Sequence, residues 1–135
     1  MKQFLDKALK PVLIIGGLGT AAAGLYALWP QWAVENVANL EFIKDYTIFV
    51  QHWGIMVGLI GVMMVAAAFK PSWVAPILIY AALEKAFMVY LFASNASYSF
   101  SDGFLVPAVM DGVIVLYCLL YFWSFRKEPL EGGAI

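Results

Sequence analysis

The sequence predicts an all-α membrane protein, a single domain built as a bundle of four transmembrane helices. Three observations predict this fold class. Of the 135 residues, 64% are hydrophobic and 13% are charged, whereas soluble proteins carry about 45–50% apolar and about 25% charged residues. Four apolar runs each approach the roughly 20 residues that a helix needs to cross a bilayer. The basic residues fall almost entirely on one side of the predicted topology, as membrane orientation requires.

The first apolar run covers residues 11–29 and carries no charge. It has the basic start of a signal peptide, but it exceeds the usual apolar region of about 7–15 residues, which favours an uncleaved helix. Proline suits the first position of a helix, so we expect Pro11 to open this span after a surface lead-in over residues 1–10. Small residues in its middle allow close helix packing. The expected packing positions are Gly17, Ala21 and Gly24.

The second apolar run covers residues 47–69 and contains a further set of small residues. Gly54 and Gly58 form a GxxxG pair, and Gly61 continues much the same face of the predicted helix. Such pairs support close packing of membrane helices in general. The preceding polar connection, residues 31–46, has only a partial helical period. An amphipathic helix at the membrane surface and an irregular loop both fit it.

The third and fourth apolar runs cover residues 73–93 and 104–125, joined by the short polar segment 94–103. The basic pair that follows the fourth run ends it, and we expect residues 126–135 to form a flexible tail. Cytoplasmic connections carry an excess of Lys and Arg, so both termini are expected in the cytoplasm. One side of the predicted topology carries Lys2, Lys7, Lys10, Lys70, Arg126 and Lys127, and the other carries Lys44 alone.

Composition excludes several classes of function. A net charge of −1 is not that of a nucleic-acid-binding protein, which usually carries a basic patch. The lone Cys118 excludes an internal disulfide and a multi-cysteine metal site. A zinc site needs several His, Cys or carboxylate ligands together, so we expect no metal and no cofactor. The lipid bilayer is the first expected partner.

Charged residues inside the spans are the main candidates for a functional site. Glu84 and Lys85 lie near the middle of the third run, and Asp111 lies inside the fourth. A charged side chain at that depth costs a few kcal/mol, so it usually faces the bundle interior and pairs with another group. Neighbouring residues on a helix point about 100° apart, so Glu84 and Lys85 need different partners. We expect Lys85 to pair with Asp111.

Glu84 is then expected to face a group on another helix, His52 or Gln51. Tyr80, one turn before Glu84, is placed to donate a hydrogen bond to it. The predicted polar cluster therefore comprises His52, Tyr80, Glu84, Lys85 and Asp111. Three roles remain open for it: holding helices together, conducting protons or ions, and catalysis or ligand binding.

The middle of the chain carries three local features: His-Trp-Gly at the start of the second run, an Ala-Ala-Phe-Lys-Pro turn after it, and the Glu-Lys pair. With these features, residues 51–87 resemble the DoxX-like small bacterial tetraspan membrane proteins. The resemblance implies a four-helix bundle in a bacterial inner membrane. It implies no agreed activity, so no catalytic residue is carried over from it.

Three hypotheses of function follow. The first is a non-enzymatic accessory or scaffolding subunit that packs against another membrane protein or another copy of itself, because small residues line the first two spans. The second is a membrane enzyme or binder of a lipid-soluble small molecule, in which His52, Glu84 or Asp111 acts as acid or base. The third is a proton-coupled transporter of a small molecule.

Overall fold

The computed structural model describes residues 2–126, which are largely helical and contain no strand. Four stretches are long and apolar enough to cross a membrane: Lys2–Leu28, Lys44–Ala67, Pro71–Asn95 and Ser99–Ser124. The predicted all-α bundle of four spans is confirmed. The helices are α1 (Lys2–Ala21), α2 (Gly24–Leu28), α3 (Pro30–Asn36), α4 (Thr47–Ala67), α5 (Pro71–Asn95) and α6 (Leu105–Arg126), with short 3-10 helices over Lys44–Tyr46 and Ser99–Phe104. The expected tail, residues 126–135, lies outside the described residues except for Arg126, which ends α6.

The first span starts earlier than the sequence predicts. Helix α1 begins at Lys2, and Pro11 lies inside the helix instead of opening it. The lead-in is helical because it packs against the rest of the bundle. Leu5 is only 3% exposed, and its carbonyl oxygen accepts a hydrogen bond of 2.8 Å from the Tyr117 hydroxyl on α6. Tertiary packing therefore extends the helix beyond the start that the proline indicates.

The first span is also interrupted after Ala21. The Thr20 hydroxyl donates a 2.8 Å hydrogen bond to the Gly16 carbonyl oxygen, and such bonds back to the preceding turn often bend a helix. The turn that follows is tighter than an α-helix, because the Ala23 N–H donates to the Thr20 carbonyl oxygen, three residues back, at 3.1 Å. The span then resumes as α2, which packs mainly against α4.

The contact between the first two spans is made through small residues. A Cβ on Gly61 would overlap the backbone nitrogen of Ala21, and one on Gly17 would lie 2.8 Å from the Gly61 carbonyl oxygen. A Cβ on Gly58 would lie 3.0 Å from the backbone nitrogen of Gly24. The backbones of α1, α2 and α4 therefore touch directly. The predicted packing positions that meet here are Gly17, Ala21, Gly24, Gly54, Gly58 and Gly61.

The connection between the first two spans contains both a short helix and an irregular segment. Helix α3 is short, and residues 37–43 after it are irregular. Asn39 adopts a φ of 55°, in the left-handed region that Asn tolerates better than most residues. A Cβ on Gly103 would overlap the Ala38 carbonyl oxygen. The two connections at this end of the bundle are therefore in backbone contact.

The two halves of the bundle are packed differently. We call the half that contains Lys2 and the end of α6 the terminal half, and the opposite half, under the two connections, the loop half. The terminal half holds the main hydrophobic core: Leu5, Leu13, Met64, Ala67, Val74, Ile77, Leu78, Ala81, Ile114, Tyr117 and Cys118. The loop half holds the buried ion pair and the cavities around it.

Candidate functional site

A buried ion pair joins α5 to α6. Lys85 is 1% exposed, and its Nζ donates a 2.6 Å hydrogen bond to Oδ1 of Asp111. Asp111 is itself buried. The pairing expected from the sequence is therefore present. Because an unpaired ammonium at this depth would be costly, Asp111 is the group that allows Lys85 to remain inside the bundle.

Glu84 is the member of the cluster whose buried carboxylate oxygen lacks a hydrogen bond within the described residues. Its Oε2 lies 3.7 Å from the Lys85 Nζ, which is beyond hydrogen-bond distance. That oxygen is buried and has no hydrogen-bond partner among the described residues, although 26% of the Glu84 side chain is exposed. Buried polar atoms almost always have a partner. A buried carboxylate oxygen that has this 3.7 Å ion pair but no hydrogen bond among the described residues is therefore the feature of this site that structural packing does not explain.

The partners that the sequence proposed for Glu84 lie elsewhere. His52 is exposed on the surface of α4, and the Gln51 side chain donates a 2.9 Å hydrogen bond to the Ala27 carbonyl oxygen. Ala27 is in the last turn of α2, where carbonyl groups lack helical partners. The expected contact of Glu84 with His52 or Gln51 is therefore wrong. Trp53, about 100° around the helix from His52, is one of the α4 residues that line the same two spaces as Glu84.

Tyr80 lies near Glu84 but does not bond its buried oxygen. The two residues line one groove between α4 and α5, and Tyr80 is 47% exposed. Since Oε2 of Glu84 has no hydrogen-bond partner, the expected hydrogen bond from the Tyr80 hydroxyl to that atom is not formed. Tyr80 thus remains a neighbour of the site and not a support for its carboxylate.

An inner cavity of about 150 Å³ lies in the loop half beside the ion pair. The interruption between α1 and α2 forms one wall, and α4, α5 and α6 form the others. Glu84, Lys85 and Asp111 all line it, so the charged cluster borders open space on one side. Most of the remaining wall is apolar or aromatic, and it includes Tyr26, Trp53, Met88, Phe104 and Met110.

A lateral groove of about 300 Å³ runs between α4 and α5. It shares Trp53, Val57, Glu84 and Met88 with the inner cavity, so these four residues separate the two spaces. The groove faces outward from the bundle, because Phe87 on its rim is 59% exposed. In a membrane this rim contacts lipid. Glu84 therefore lies between the inner cavity and a face that lipid can reach.

Sequence reasoning missed the cavity-lining aromatic residues. Tyr26, Trp53 and Phe104 lie near the loop-half ends of their helices, where aromatic residues commonly form a belt at the membrane surface. In the structure they line the inner cavity, and the rings of Tyr26 and Trp53 meet edge to face with centroids 5.1 Å apart. The signal that was available is the polar Thr20, which lies inside the uncharged first span and marks the interruption beside the cavity.

The chemistry that this arrangement allows is recognition by a carboxylate in apolar surroundings. Oε2 of Glu84 can accept a hydrogen bond from a ligand or pair with a positive charge, and a carboxyl at this place can also hold a proton. Among residues 2–126, no group of three or more His, Cys, Asp or Glu side chains is arranged to hold a metal ion. His52 is not in contact with the inner cavity or the groove.

Comparison of the chain with protein-family models, with curated proteins and with solved structures found no match.

Proposed function

We propose that this integral membrane protein binds a lipid-soluble small molecule in the loop half of the bundle, and that Glu84 recognises the polar group of that molecule. The observation that supports this most is the buried Oε2 of Glu84, which has no hydrogen-bond partner among residues 2–126 and belongs to a residue in the wall between the inner cavity and the lateral groove. A buried carboxylate oxygen without a hydrogen bond is costly in apolar surroundings, and the 3.7 Å ion pair with Lys85 supplies none. Its persistence therefore supports an external partner.

The size of the two spaces fits a small ligand. An apolar cavity of about 150 Å³ can hold one benzene-sized group, which is the volume of the inner cavity here. Pockets for small molecules usually have volumes of about 300–1,000 Å³, and the lateral groove is about 300 Å³. The ligand we propose therefore places one end in the inner cavity and extends past Glu84 into the groove, from which it exchanges with lipid.

The packed terminal half favours binding over transport. A transporter needs a path from the site to both membrane faces, but the residues that line the inner cavity all belong to the loop half. Below them lies a core that includes fully buried Leu13, Met64 and Leu78. Catalysis is also less favoured, because His52 lines neither the cavity nor the groove and so cannot act as an acid or base together with Glu84. Binding is thus the role that the geometry favours over both.

The accessory-subunit hypothesis has lost its main support. It was motivated by the small-residue faces of the first two spans, and those faces pack against each other within the chain. Membership of the DoxX-like proteins and residence in a bacterial inner membrane stay predictions. They rest on the resemblance of residues 51–87.

Methyl NMR of the protein in lipid nanodiscs tests the proposal, with benzyl alcohol as a neutral probe. Met88 and Met110 line the inner cavity, whereas Met63 lies partly exposed on α4. We expect the methyl shifts of Met88 and Met110 to move saturably as the probe is added, and that of Met63 to change only gradually. Equal and unsaturable shifts at all three would show partition into lipid alone and would contradict the proposal.

A matched pair of substitutions on α4 provides the control. Val57 lies between the cavity and the groove, and Val62 is 56% exposed on the same helix. Val57→Phe should fill the junction and abolish the saturable shifts, while Val62→Phe should leave them unchanged. If both variants bind the probe as the original protein does, the ligand does not occupy these spaces.

A further inference from the structure

We infer, on the basis of the binding function proposed above, that the site selects a lipophilic molecule with a single positive charge and that Glu84 is its counter-ion. A protonated or quaternary amine on an apolar body is the chemical class. Glu84 then determines specificity through its charge, and the aromatic walls of the groove and cavity hold the apolar body. Three features of the site support this assignment.

The first is the balance of formal charge. Two carboxylates, Glu84 and Asp111, share one ammonium, that of Lys85. The short contact of Lys85 is to Asp111 at 2.6 Å, and Glu84 is left at 3.7 Å. With all three groups ionised, the cluster therefore carries one negative charge beyond what Lys85 compensates. A ligand with one positive charge brings the total to zero, whereas an anionic ligand would leave two uncompensated charges in a medium of low dielectric constant.

The second feature is the aromatic surface around the carboxylate. Tyr80 and Phe87 lie four residues before and three residues after Glu84, so all three share one face of α5. They line the lateral groove together, and Trp53 closes it from α4. The faces of aromatic rings attract cations, with trimethylammonium-type ligands as the best-known case. A groove lined by three aromatic residues and a carboxylate thus matches an organic cation.

The third feature is that the basic group in the cavity wall is already engaged. Lys85 is the one basic residue among those that line the inner cavity and the groove, and its ammonium is bonded to Asp111. No free positive charge in these walls competes with the ligand for Glu84. The same engagement leaves Lys85 poorly placed to hold an acidic headgroup.

Two probes of the same shape test the inference: benzyltrimethylammonium, and neopentylbenzene, in which a carbon atom replaces the charged nitrogen. The shifts of the Met88 and Met110 methyl groups in nanodiscs report binding of each. The cation should bind at least about tenfold more tightly than its neutral counterpart, since one ion pair at a partly buried site supplies more than that. Glu84→Gln should remove this preference, and Glu84→Asp should restore most of it.

Glu35→Gln is the matched control, because it removes a carboxylate from exposed α3 and should leave the preference intact. Equal binding of both probes to the original protein would overturn cation selectivity, but the proposed binding function would stand. A preference that survives Glu84→Gln would overturn the assignment to this residue. Binding of neither probe, together with no saturable shift by benzyl alcohol, would overturn the binding function itself. An unchanged NMR spectrum of Glu84→Gln outside the site shows that the variant is folded.

Discussion

At the scale of single residues, the cluster divides into a hydrogen-bonded pair and a carboxylate that lies farther from the shared ammonium. Lys85 and Asp111 are both buried and bonded to each other, which is how paired charges are usually held inside membrane bundles. Glu84 is adjacent to Lys85 but has no hydrogen-bond partner for its buried oxygen. We therefore expect the three residues to respond differently to substitution.

Removing one member of the Lys85–Asp111 pair should destabilise the protein strongly. Lys85→Met leaves Asp111 buried without its partner, and breaking a buried pair costs about 3–5 kcal/mol of unfolding free energy. Replacing both residues, as Lys85→Met with Asp111→Leu, should recover most of this loss because no charge of the pair remains unpaired. Reversible unfolding in detergent measures both effects. A double variant as unstable as Lys85→Met would show that the pair does more than compensate charge.

Glu84→Leu should behave in the opposite way. Because it removes a buried oxygen that has no hydrogen bond among the described residues and leaves the shorter Lys85–Asp111 pair intact, we expect the unfolding free energy to stay within about 1 kcal/mol of the original or to rise, as often occurs when a functional residue is replaced. Asp111→Leu, measured alongside, should lower it by about 3 kcal/mol or more. A loss of stability at Glu84→Leu comparable with that at Asp111→Leu would assign Glu84 a structural role.

The sequence was sufficient for one half of the cluster and not for the other. Neighbouring residues on a helix point in different directions, so the sequence indicated that Glu84 and Lys85 need different partners. Asp111 is the only acidic residue of α6, which identified it as the partner of Lys85. The partner of Glu84 was mispredicted because depth along a helix says nothing about rotation. His52 lies at a suitable depth, but the glycine contact turns α4 so that Trp53 faces the site.

At the scale of helices, the glycine contact fixes how the first two spans meet. Small residues at i, i+4 and i+7 on α4 could be identified from the sequence, and the complementary positions on the first span could be identified as well. That the two sets of small residues contact each other is shown only by the structure. The break after Ala21 was not predictable from hydropathy, because the apolar run continues through it without interruption.

Gly61→Ala should destabilise this contact more than an equivalent change elsewhere. The added methyl group would overlap the Ala21 backbone, and overpacking of this kind costs about 1–3 kcal/mol. At Gly112 on α6 a Cβ would meet only a Val89 methyl group at 3.9 Å. Gly112→Ala should therefore be neutral or stabilise by up to about 1 kcal/mol. Thermal unfolding in detergent compares the two, and equal effects would show that the α1–α4 contact tolerates separation.

At the scale of the whole molecule, one half of the bundle is tightly packed and the other half contains cavities. The main core lies in the terminal half, and the cavities that contain charged groups lie in the loop half. The four spans and their order were predictable from hydropathy, whereas this asymmetry of packing was not. It depends on the interruption of the first span and on aromatic side chains that line space instead of filling it.

Cysteine labelling in intact cells tests the predicted orientation. Ser97 and Lys70 are exposed at opposite ends of the bundle, while the native Cys118 is fully buried and should not react. A membrane-impermeant thiol reagent should label Ser97→Cys in intact cells and Lys70→Cys only after permeabilisation, because the basic connections are expected in the cytoplasm. The reverse pattern would place the loop half and its cavities on the cytoplasmic side.

The central claim is that the buried oxygen of Glu84 is reserved for a molecule other than the protein. A crystal structure of the full chain grown from a lipid mesophase examines it most directly. We expect density for a bound molecule in the inner cavity or the lateral groove, with a polar or charged group next to Oε2 of Glu84. A collapsed cavity, with Oε2 bonded to a side chain of the protein, would contradict it.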